Sequence, residues 1–86
     1  TVIKFYSPTC PPCKLFDKEL AKYTLPCEIN LLAIDASKSI ELRRMYNVNC
    51  VPQILFLDEN NNILEEHSGF MDIVAFETKV KKYFIK

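Results

Sequence analysis

Along the chain the spacing of apolar residues changes period several times, and each change marks an element. Thr1 to Tyr6 is a β-branched and aromatic run that predicts a strand, and Ser7-Pro8-Thr9 breaks it. From Pro11 to about Thr24, Cys13, Phe16, Leu20 and Tyr23 recur at helical spacing until Pro26 stops the pattern. Ile29 to Ile34 is almost continuously apolar and predicts a strand covered on both faces. Ser37 or Ser39 is then placed to cap a short helix through Tyr46, with Ile40, Leu42 and Met45 turned inward. Pro52 to Leu57 predicts a second fully buried strand. Asp58-Glu59-Asn60-Asn61-Asn62 predicts a turn, and Ile63 to His67 its antiparallel return. Asp72 caps a last helix whose apolar stripe is Ile73, Phe76, Val80, Tyr83 and Phe84. The order β-α-β-α-β-β-α predicts an α/β fold with a mixed four-stranded sheet flanked by helices.

Eighty-six residues, 49% of them hydrophobic, suffice for one core, and residues 1–86 are expected to form a single domain. Eleven basic and eleven acidic side chains cancel, so the chain lacks the positive field that gathers nucleic acid or anionic lipid. No apolar run approaches the roughly 20 residues that cross a bilayer, and residues 1–5 lack the layout of a secretory signal. The chain opens on Thr1, which leaves room for a removed upstream segment. A cytoplasmic monomer is the default expectation.

Cysteines stand at 10, 13, 27 and 50, too few and too uneven for a disulfide scaffold. Cys10 and Cys13 form a C-x-x-C pair at a helix start, where residues three apart have Cα atoms about 5 to 6 Å apart and can close a disulfide. Cys10 precedes the first turn, whose free amides and positive end can pull a thiol below about 8.5, so it is the expected nucleophile. Pro11 and Pro12 suit the first turn but carry no N–H, which makes the Cys13 amide the first donor within the motif for the Cys10 sulfur, with Lys14 adding a cation. Cys13, on the buried stripe, would resolve the mixed disulfide that Cys10 forms. Two ordinary core thiols are the plainer alternative, but an apolar core gains nothing from a cysteine at an exposed helix entrance among prolines. Cys27 is expected to be structural, and Cys50 a small, partly buried side chain, with a third redox or regulatory thiol as its alternative. Neither has a close cysteine partner, so no metal site is expected.

From Val2 to about Phe84 the chain resembles the thioredoxin and glutaredoxin superfamily. Pro8-Thr9-Cys10-Pro11-Pro12-Cys13 is similar to the glutaredoxin active-site segment, and Val51-Pro52-Gln53-Ile54 resembles the loop carrying the superfamily's cis-proline. The resemblance implies a minimal thioredoxin fold, a cis Pro52, and a substrate surface formed by Pro11, Pro12, Val51, Pro52 and Gly69. Val51 would offer its backbone to an extended substrate. The implied activity is reduction of protein disulfides without a bound cofactor, recharged by a reductase or another thiol donor. Ser7, Pro12 and Phe70 depart from the glutaredoxin pattern for glutathione, so a glutathione-dependent enzyme is the second reading and a non-cycling binding or metal-carrier module the third. Thr9 replaces the thioredoxin tryptophan, and Lys4 stands where that branch keeps a buried acid.

Overall fold

A computed structural model describes residues 1–26 and 29–85; the expectation for Cys27 lies outside them. Seven elements follow one another: β1 (Val2–Tyr6), α1 (Pro11–Leu20), β2 (Leu31–Asp35), α2 (Ile40–Met45), β3 (Gln53–Leu57), β4 (Ile63–Ser68) and α3 (Ile73–Phe84). They form one sheet in the order β2-β1-β3-β4, with β1 parallel to β2 and antiparallel to β3, and β3 antiparallel to β4. This is the mixed four-stranded α/β arrangement that the element order predicts.

Alternation along the central strands divides the interior in two. Val2 on β1 and Ile54 and Phe56 on β3 face α1 and α3, where they meet Phe16, Met71, Phe76 and Val80. Ile3 and Phe5 with Leu55 and Leu57 face the other way, onto Ala36 and Val48. Every residue of β3 is buried because both of its faces are covered. Phe76 is the hub of the first layer, its ring centroid 5.8 Å from Phe16, 6.0 Å from Phe56 and 6.2 Å from Tyr23. The Asp72 carboxylate accepts from the Ala75 amide at 2.8 Å and so caps α3, as expected.

Three expectations need correction. The strand after α1 is not covered on both faces: β2 is an edge strand, and Leu32 is 50% exposed. A continuous apolar run reports which residues were placed in a strand, not whether another strand or helix lies beyond it. Helix α1 ends at Leu20 rather than near Thr24, although Leu20 and Tyr23 still pack against the first layer. In α2 the predicted inward residues Ile40, Leu42 and Met45 face solvent, Met45 at 66% exposure. This helix has six residues, and Asn47 ends it in the left-handed region at φ 57°. The sheet face beneath is filled instead by Tyr46, packed on Phe5, and by Val48. Ser39 occupies the cap position without a side-chain bond. The local order comes from Asp35, which accepts from the Ser37 amide and, through its backbone carbonyl, from the Ser39 amide.

Candidate active site

The end of β1, the start of α1 and the start of β3 converge at one end of the sheet, and this places Cys10. The chain leaves β1 through Ser7-Pro8-Thr9, and the Cys10 amide donates to the Ser7 carbonyl at 3.2 Å, closing the turn into α1. Cys10 is the N-cap of that helix. Its extended backbone (φ −100°, ψ 106°) aims the sulfur back across the helix end, where it accepts from the Cys13 amide at 3.3 Å. A serine or aspartate oxygen ordinarily takes this role. Here a sulfur does, because Pro11 and Pro12 fill the first helical positions without N–H groups. An amide aimed at the sulfur stabilises negative charge that develops there.

Cys10 is only 9% exposed, which corrects the expectation of an open helix entrance, and Cys13 is 2% exposed. Both are free thiols, as is Cys50, which is exposed rather than partly buried as expected. The Cys10 thiol donates to the Val51 carbonyl at 3.7 Å, so two segments 41 residues apart in sequence meet at one sulfur. The Val51–Pro52 peptide bond is cis and Pro52 is buried. Gly69, at φ 91°, donates its amide to the Pro52 carbonyl at 2.8 Å, tying the end of β4 to the same loop. No atom lies within 4 Å of where a Gly69 side chain would begin, so the backbone conformation alone selects glycine here. The structure therefore brings Cys10, Cys13, Val51, Pro52 and Gly69 together, with Pro11 and Pro12 exposed on the rim.

The two thiols differ in environment. Burial first, then the hydrogen bond with Cys10, pushes the Cys13 thiol up to about 11; the charges of Cys10 and Asp17 add to this, and a backbone hydrogen bond at Ser7 opposes it. Asp17 is a functional neighbour that the sequence reading missed. It stands four residues after Cys13, on the same side of α1, and that spacing is the signal that could have found it. Its carboxylate pairs with the Lys4 ammonium, whose side chain is 11% exposed against 50% for Asp17. Among the described residues no three His, Cys, Asp or Glu side chains group as a metal site. No helix among them is long and apolar enough to cross a membrane.

The thioredoxin family model matches residues 1–82. A thioredoxin of Borreliella burgdorferi is 28% identical over 85 residues, covering 96% of this chain and 72% of its own. A probable protein disulfide-isomerase A6 of Medicago sativa is 27% identical over 79 residues and 87% of this chain, which spans only 22% of that relative's length. Among solved structures, thioredoxin-2 of a malaria parasite superposes with a TM-score of 0.85 at 27% identity, over 95% of this chain and 81% of that one. With the match running through the whole sheet, α1, α2 and most of α3, the chain belongs to the thioredoxin family.

Proposed function

We propose that the protein reduces disulfide bonds in other proteins by dithiol exchange. The observation that carries this reading is the Cys10 sulfur at the N-cap of α1, held by the Cys13 amide on one side and the Val51 carbonyl on the other. The Cys10 thiolate attacks one sulfur of a substrate disulfide, and the other substrate sulfur leaves as a thiolate and takes up a proton. Cys13 then loses its proton and attacks the Cys10 sulfur, expelling the second substrate thiol. Two electrons have passed to the substrate, and the protein holds a Cys10–Cys13 disulfide that a reductase or another thiol donor must reduce.

The remaining residues serve the approach. Pro11 and Pro12 border the sulfur, Pro52 shapes the groove, and Val51 offers backbone groups to an extended substrate, as a strand edge does. Gly69 holds the loop of Pro52 in place. The names of the relatives support the reaction class: one is a thioredoxin, the other a probable disulfide isomerase.

Insulin-disulfide reduction by dithiothreitol tests the proposal. The wild type accelerates it, Cys10→Ser does not, and Cys13→Ser accumulates a mixed disulfide through Cys10 visible by mass spectrometry. Equal rates for wild type and Cys10→Ser would remove Cys10 from the mechanism. Recycling by glutathione and its reductase is expected to be slow, because Ser7, Pro12 and Phe70 replace the groups of a glutathione site.

A further inference from the structure

The surface beside Cys10 is not electrically neutral, although the chain as a whole is. A cleft of about 230 Å³ opens against Ser7 and Val51, the two residues whose carbonyls engage the Cys10 amide and thiol, and runs to Arg43 on α2. A second cleft of about 400 Å³ shares Arg43, Val48 and Asn49 with the first and continues to Arg44. Among the described residues no acidic one lines either cleft.

Arg43 is held in position: its Nε donates to the Val48 carbonyl at 3.1 Å, which leaves its two terminal nitrogens to face a partner. Among the described residues neither Arg43 nor Arg44 has a carboxylate within ion-pairing distance. Two acids of the same region are engaged elsewhere. Asp35 accepts from the Ser37 amide at 2.9 Å and the Ser37 hydroxyl at 2.5 Å. Glu41 borders a separate depression together with Lys38.

We infer that this cleft is a specificity site that reads acidic residues flanking the cysteine of a protein disulfide substrate. The inference rests on the redox reading given above. A substrate chain that presents its sulfur to Cys10 lies along Val51, and on that side its next residues meet Arg43 and then Arg44. A fixed guanidinium fork pairs with a carboxylate through two N–H groups and repels an ammonium. The site therefore selects both by attraction of acidic flanks and by exclusion of basic ones. Exposed charges act mainly on encounter and KM, and salt screens them within about 10 Å at 0.1 M.

Disulfide-linked peptides test this, with the cysteine flanked on either side by three Glu, three Gln or three Lys. The fully reduced protein is mixed with each peptide at low salt, and each kcat/KM is divided by the rate with dithiothreitol, which removes the peptides' own reactivity. Wild type favours a Glu flank over a Lys flank on at least one side by about tenfold, as expected for two or three exposed pairs. The preference falls below about threefold at 0.5 M salt, beyond the reach of screened charges. R43Q/R44Q abolishes it, and R44E, which leaves the Arg43–Val48 contact in place, reverses or halves it. Equal normalised rates for Glu and Lys peptides in the wild type would overturn the inference, as would a preference that survives both variants. A protein that reduces none of the peptides would overturn the redox reading, and this inference with it.

Discussion

The buried Cys13 thiol ties stability to pH. Burial, followed by the hydrogen bond with Cys10, raises Cys13 from an ordinary 9.0 to about 11 in the folded, reduced protein. In the unfolded chain the thiol returns to its ordinary value. Between these values the unfolded chain has released a proton that the folded protein still holds. The unfolded state thus binds fewer protons, and stability falls as pH rises. Below about pH 9 both states are protonated and the effect vanishes; above about pH 11 both are ionised and it levels off. Two units at 1.36 kcal/mol each set the limit at about 3 kcal/mol, of which about 2 kcal/mol is lost by pH 11. The assay is urea unfolding of wild type and Cys13→Ala, both kept reduced, at intervals from about pH 8 to pH 11. Lys79 and Lys81, raised by hydrogen bonds to Glu65 and Glu77, titrate in both proteins and cancel in the difference. The alanine variant loses sulfur contacts by an amount that pH does not change. The wild-type advantage therefore shrinks by about 2 kcal/mol across the range. A difference that stays flat to within about 0.5 kcal/mol, the usual error of additivity, would refute the assignment of Cys13 as the raised group.

Three further outcomes follow from packing and backbone geometry. Phe76→Ala empties the centre of the ring cluster formed with Phe16, Phe56 and Tyr23 and is expected to cost about 3–5 kcal/mol, read as a drop in the urea midpoint at unchanged slope. Gly69→Ala meets no atom within 4 Å, so only the φ of 91° opposes it; a loss of about 1 kcal/mol is expected, and a loss several times larger would mean that a neighbour collides. Asp17→Ala strands the nearly buried Lys4 ammonium and is expected to destabilise by about 1–3 kcal/mol. Adding Lys4→Met should recover most of that loss, and a double variant no more stable than Asp17→Ala would show that the lysine was never the cost.

Burial on both faces writes an unbroken apolar run, and β3 was legible for that reason: Ile54 and Phe56 fill one layer while Leu55 and Leu57 fill the other. The same signal misled at β2, because Leu31 to Ile34 is equally apolar yet lies at the sheet edge, and a sequence does not state strand order. Helix α3 was legible because Ile73, Phe76, Val80 and Tyr83 keep one period over three turns. Helix α2 was too short for any period to settle which side faces in. At the site, the Cys10–Cys13 spacing and the two prolines were enough to predict the amide bond to sulfur. The approach of Val51 to that sulfur came through family resemblance alone, because no local pattern relates positions 41 residues apart. The Lys4–Asp17 pair escaped for a similar reason, with one partner on β1 and the other on α1.

In the exchange proposed above, the asymmetry between the sulfurs orders the steps. Cys10 receives an amide from the helix end, whereas Cys13 lies behind it with its proton held by burial. Two of the influences that raise Cys13 come from Cys10 itself: the hydrogen bond between them and the charge on the first sulfur. While Cys10 is free, a second thiolate beside it is disfavoured, so the pair presents one nucleophile rather than two. Once Cys10 is joined to a substrate sulfur it carries no charge, so the second influence disappears and the first weakens. Burial remains, so Cys13 does not become an ordinary thiol, but it becomes a stronger acid at the moment when its thiolate is needed. On the proposed mechanism the pair thereby couples deprotonation of the resolving cysteine to capture of the substrate, and the high value of Cys13 in the resting protein suppresses premature ionisation.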